Sequence, residues 1–249
     1  MNQRARLRLP VLVGLAVALA SHAAFAGPPF LTDDPDPTTT GHWEIYAPAL
    51  EASGRGADFE GSLGAELNYG AAPDVQITVG LPVSYGHDAT GFHSGRGDLE
   101  ASVKYRFYRN EAAGLSIAAF PGITLPTASA RRGAAHLTAL LPVWAQKDAG
   151  PWSVFGGGGY AINPGAGNRD YWTGGVALTR EVSDRLLLGV EADRQGADTT
   201  AGRASTSLGV GAILRLTPPF RLLASAGPTF TESEPSPAFH AFLALGLDF

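Results

Sequence analysis

The sequence predicts an all-β protein: an antiparallel transmembrane β-barrel of about 12 strands with a short irregular N-terminal arm. Three observations carry that prediction. Long segments alternate apolar and polar side chains, the period-2 pattern that puts neighbours on opposite faces of a strand, and they reach the roughly 9–11 residues a tilted strand needs to cross a bilayer. Aromatic residues close the apolar faces, as Phe59, Tyr69 and Tyr85 do in the hairpin Phe59–Tyr85, where interfacial girdles belong. The connections alternate between short and long, as periplasmic turns and extracellular loops do.

Taken in order, the chain opens on Arg4, Arg6 and Arg8, an apolar run Leu9–Ala20 and the small-x-small site Ala24-Phe25-Ala26. This reads as a signal peptide over residues 1–26, with export to the periplasm. Residues 27–41 hold Pro28, Pro29, Pro35 and Pro37 among aspartates and threonines; the prolines exclude a regular helix or strand. This arm either lies in the periplasm or tucks into the barrel. Residues 42–249 are the barrel.

The first strand is His42–Ala52, with Trp43, Ile45, Ala47 and Ala49 on the apolar face. The second and third are Phe59–Tyr69 and Val75–Tyr85, around a turn at Gly70–Asp74. After a polar loop, His87–Gly97, comes Asp98–Tyr108, where Leu99, Ala101, Val103, Tyr105 and Phe107 alternate with Asp98, Glu100, Ser102, Lys104 and Arg106. Leu115–Pro126, His136–Gln146, Pro151–Asn163, Tyr171–Arg180, Arg185–Arg194, Ala204–Leu216 and Phe220–Phe230 follow. Ala238–Phe249 closes the chain, its apolar face running from Phe239 to Phe249. A secreted β-sandwich also alternates, but these segments are longer and more uniform than sandwich strands.

Charged residues make up 16% of the chain against a usual ~25%, as a lipid-facing surface requires. Formal net charge is −5, and the leader removes three arginines more, which argues against nucleic acid as a partner. No cysteine is present, so disulfides, thiol nucleophiles and thiolate metal sites are excluded.

In a barrel the polar face points to the lumen. The candidate lumen residues are Glu44, Glu60, Glu66, Gln76, Asp98, Glu100, Lys104, Arg106, Gln146, Arg180, Glu191, Asp193, Arg221 and His240. Glycines at 157, 159, 174, 189, 209 and 211 are read as inward. Tyr46, Leu50, Phe120, Leu140, Trp144, Phe155 and Phe242 would form an apolar pocket if the solute is hydrophobic. Twelve strands fall between filled eight-stranded barrels and open porins of about 16–18. A narrow channel and a cross-linked interior both remain open. His87, Asp88 and His93 share a loop but match no metal-ligand spacing, and no Gly-x-Ser-x-Gly elbow exists. No catalytic, cofactor or metal residue is assigned. The expectation is a non-enzymatic channel for small solutes; the alternatives are a non-conducting structural or surface barrel and a lipid-modifying barrel enzyme.

Two stretches resemble a known family. Ala26-Gly27-Pro28-Pro29-Phe30 with Thr32-Asp33-Asp34-Pro35 and Gly41-His42-Trp43-Glu44, and Leu141-Pro142-Val143-Trp144-Ala145-Gln146-Lys147 with Trp152-Ser153 and Gly156–Tyr160, are similar to outer-membrane transporter-like barrels of the MetA pathway of phenol degradation. The resemblance implies an outer-membrane barrel passing small solutes, aromatic or other hydrophobic compounds among them. Its partners would be outer-membrane lipid and, through the terminal Phe249, the barrel-assembly machinery. No site residue carries over.

Overall fold

The structure, a computed structural model, describes residues 29–129 and 133–249. The expected leader therefore lies outside the described residues. Fourteen strand elements follow the arm: β1 (Trp43–Arg55), β2 (Asp58–Ala72), β3 (Val75–Asp88), β4 (Gly91–Arg96), β5 (Leu99–Asn110), β6 (Leu115–Ala119), β7 (Gly122–Leu125), β8 (Thr138–Ala149), β9 (Trp152–Ile162), β10 (Tyr171–Ser183), β11 (Leu186–Gln195), β12 (Ser205–Arg215), β13 (Phe220–Thr231) and β14 (Ala238–Asp248). All pairings among these strands are antiparallel, and β1 pairs with β14 to close the ring.

The wall has the expected 12 strands. The two extra elements have local causes. Pro121 cannot donate to a ladder, so the fifth wall strand divides into β6 and β7 around Phe120-Pro121, both still held between β5 and β8. The segment expected as a polar loop at 87–97 instead contains β4. It folds back on the outer end of β3, pairing Val83 with Arg96 through Asp88 with Gly91.

Most long connections leave one end of the barrel, where the two-residue turn Gly56-Ala57 between β1 and β2 is the exception, and tight turns leave the other. Asp74, Gly114 and Gly150 take positive φ in those turns. By the usual asymmetry the short-turn end is periplasmic, and Trp43 and Phe249 lie at that end, bonded to each other across the start of β1 and the end of β14. The outside is apolar: Leu63, Leu81, Val143, Val190, Val210 and Leu243 are all exposed. An unbroken belt of this kind is far more than a soluble surface carries and is what lipid covers. Trp43 against Tyr69 (4.7 Å between rings) and Tyr160 against Trp172 (5.2 Å) mark its two rims.

Two expectations about facing are corrected. The β1–β14 register slips between Tyr46 and Ala49, at Ala47-Pro48. A bulge of one residue reverses the faces beyond it. Tyr46 is buried inside, but Ala49 turns inward against it and Leu50 faces out, 37% exposed. Leu50 therefore leaves the expected pocket, and Ala49 leaves the lipid face. On β10, Ala177 and Thr179 are buried, so Val176, Leu178 and Arg180 share the outer face. Arg180 is not a lumen residue; its guanidinium lies 5.1 Å from the Trp152 ring on the outside of the wall. A charge is tolerated there because the strand has reached the interface. By the same phase Gly175, not Gly174, looks inward, toward Thr32.

Candidate functional site: the arm inside the barrel

Residues 29–41 run inside the barrel. Prolines keep the arm out of regular structure, so its polar groups are met by the wall and by short turns of its own, such as the Asp36 N–H donating to the Asp34 carboxylate at 2.8 Å. The Pro29 carbonyl accepts from the Ser225 hydroxyl on β13. Phe30 is 5% exposed and packs edge-on to Phe155, 6.0 Å between rings, with Ala177 and Leu187 around it. Its seat exists because the wall has no side chain there. A Cβ on Gly189 would stand 2.4 Å from the ring, and one on Gly211 would stand 2.7 Å from it. Burying a ring of this size contributes about 1.5–3 kcal/mol.

Beyond Phe30 the arm is held by polar contacts. The Thr32 backbone N–H donates to Glu191 at 3.0 Å. Asp33 is fully buried and accepts from the Lys104 ammonium at 3.0 Å; Asp34 lies 3.6 Å from the same ammonium. Burial pushes the Asp33 carboxyl above the ordinary carboxylate range, and the Lys104 charge opposes that shift. Lys104 itself is 3% exposed and stands 4.8 Å above the Phe120 ring. Arg106 pairs with Asp36 of the arm and with Asp74 of the β2–β3 turn, 2.7 Å away. Thr38 donates through its backbone to Gln76 at 2.8 Å and through its hydroxyl to Glu44 at 3.1 Å. The arm then turns over the rim, where the Gly41 N–H donates to the Gly70 carbonyl at 2.7 Å.

A second cluster closes the same end. Arg221 pairs with Glu44, with Asp248 at 3.0 Å and with the Tyr46 hydroxyl at 2.9 Å. A cavity of about 780 Å³ remains beside the arm, bounded by Phe30, Tyr46, Lys104, Phe120 and Phe155 and reaching His42 and Asp248 at the periplasmic mouth.

The structure brings most of the predicted lumen residues to the interior, in two groups. Glu44, Glu66, Gln76, Lys104, Arg106, Gln146, Glu191 and Arg221 meet the arm or bound the cavity. Glu60, Asp98, Glu100, Asp193 and His240 lie further toward the loops. There Asp98 accepts from the Ala128 and Ala134 N–H groups at 2.7 and 2.6 Å, tying the loop before β8 to the wall. His240 faces the Thr229 hydroxyl at 3.1 Å. Of the expected apolar pocket, Tyr46, Phe120, Leu140, Trp144 and Phe155 are buried, and Phe242 packs on the Tyr46 cluster. Glu51 was missed: after the bulge it points inward, taking a hydrogen bond from Ser62 at 3.4 Å. Pro48 inside the strand was the available signal, since proline there marks a bulge or an edge. Outside the lumen, His93 pairs with Asp88 at 3.3 Å while His87 stacks on Phe59.

No curated protein matches this chain. The fold is similar to the COG4313 outer membrane channel from Pseudomonas putida F1 at 18% identity, covering 87% of this chain and 98% of that one, with a TM-score of 0.67. It is also similar to the translocator domain of the autotransporter NalP from Neisseria meningitidis at 13% identity, covering 86% and 90%, with a TM-score of 0.56. At these identities the likeness is one of fold, and the fold is that of Gram-negative outer-membrane barrels, with lipid around the wall. Residues 52–245 match the family described as "Putative MetA-pathway of phenol degradation", and the chain belongs to that family.

Proposed function

We propose that the protein is a passive outer-membrane channel for small solutes, closed at rest by residues 29–41. The observation that carries this reading is the arm itself. It fills the bore through separate non-covalent contacts and leaves a cavity of about 780 Å³ beside it. Chain that only filled space would need no such vestibule. The lumen residues line the path, no covalent step is involved, and the apolar side chains Phe120, Phe155 and Phe242 suit solutes with a hydrophobic body. Phe249, 58% exposed after the last strand, is the feature the assembly machinery would read.

Planar-bilayer recording of refolded protein lacking residues 1–26, with and without residues 27–41, tests this. Small or intermittent conductance with the arm and steady, larger conductance without it is the expected result. Silence in both, with the folded barrel shown by heat-modifiable gel migration, would sink the channel reading. The second reading, a non-conducting structural barrel, would then stand. The buried network of Asn68, Gln76 and Thr78, with contacts of 2.6–2.9 Å, favours it as a rigid interior.

A further inference from the structure

Lys104 is the least expected side chain in the lumen. It is 3% exposed, yet among the described residues no wall carboxylate lies within ion-pair distance of it. Arg106 keeps Asp74 and Arg221 keeps Glu44 and Asp248 whatever the arm does. The two acids paired with Lys104, Asp33 and Asp34, both belong to the arm. A buried ammonium left without an anion is strongly disfavoured. When the arm leaves, another anion has a ready place. The surroundings say what kind. Phe120 lies under the ammonium, and Phe155 and Tyr46 border the adjoining cavity. That cavity opens at the periplasmic mouth, whereas a solute entering from the loops first meets Glu51, Glu60 and Glu100.

We propose that Lys104 with Phe120 is a carboxylate-binding site. The arm occupies it with Asp33 and Asp34, and a small carboxylate with an apolar body, arriving from the periplasmic end, competes with the arm for it. This rests on the arm being displaceable, as in the channel reading, but it does not require that ions flow. The arm is then an internal stand-in for the ligand, and ligand binding and arm release are coupled because both cannot hold one ammonium. The coupling is reciprocal: a loosened arm raises carboxylate affinity, and bound carboxylate loosens the arm.

The test is calorimetric titration of benzoate into the full chain in detergent micelles. The double variant Asp33→Asn/Asp34→Asn should bind benzoate at least tenfold more tightly than the wild type. Adding Lys104→Met should abolish that gain. Gly189→Val, which displaces Phe30 by bulk and leaves every charge in place, should also gain binding and guards against a double variant that does not fold. Benzyl alcohol, benzylamine and phosphate should bind at least tenfold more weakly than benzoate. Folded variants that gain no benzoate binding, a gain that survives Lys104→Met, or equal binding of benzylamine would overturn the site. Equal binding of phosphate would overturn the requirement for an apolar body. Silent bilayers with intact benzoate binding would fail the channel and keep the site, so the two readings fall separately.

Discussion

The periplasmic half of the lumen and the half nearer the loops are built from the same alternating strands but solve their charge differently. β5 shows the contrast within one strand. Arg106 and Lys104 face the interior toward the turns, and Glu100, with Asp98 just before the strand, faces it toward the loops. In the lower half each of these cations is matched, and the arm supplies Asp33, Asp34 and Asp36 for the purpose. In the upper half Glu51, Glu60 and Glu100 have no ion-pair partner among the described residues, and the neutral donor Ser62 reaches Glu51. The lesson is that the wall alone is not charge-balanced from end to end. The arm neutralises one half, and water or passing cations must serve the other.

That comparison can be broken most strongly at Lys104. Lys104→Met would leave the Asp33 carboxylate buried without a cation. Removing one partner of a buried pair costs about 3–5 kcal/mol, so the arm should come free: residues 29–41 should become protease-sensitive while the barrel still resists heat on a gel. An arm that stays protected would mean that Phe30 and Thr32 suffice to hold it. A smaller effect is expected above. Glu51→Gln with Glu100→Gln should shift the permeability ratio of cations to anions about fourfold toward anions, the roughly 0.8 kcal/mol that two charges supply at about 10 Å in water. An unchanged reversal potential would show that the path avoids those residues. The smallest effect belongs outside both halves. Arg215→Ala removes a half-exposed pair with Glu181 at 2.9 Å, worth about 0–1 kcal/mol. It should change neither arm protection nor conductance, and a clear change in either would place the turn end in the gate.

The sequence made the wall legible because alternation over a whole strand is a repeated signal. From Val75 to Ser84 every second residue faces as the period requires, since one face meets lipid and a slip would turn all of it over. What failed was phase after an interruption. Pro48 inserted one residue, and Leu50 and Glu51 exchanged faces. Arg180 failed for another reason: polarity was taken for inwardness at a strand end, where the outer face is already interfacial. The arm's place was left between the periplasm and the barrel interior, and its contacts could not be read. Asp33 and Lys104 are 71 residues apart, and no local period connects them. Three aspartates in the arm and two inward cations on β5 were visible separately, but only the closed ring sets them face to face.

The arm also enters where the ring is sealed. Trp43 and Phe249 exchange backbone hydrogen bonds of 2.7 and 3.0 Å, so the first and last strands meet within two residues of Gly41. Once that seam is zipped, the first and last strands offer no sideways route into the bore between them. Gly41, φ +80°, turns the chain at the open periplasmic mouth, which leaves a lengthwise route. A stopper threaded through the open mouth beside that seam can therefore slide along the bore without parting the first and last strands.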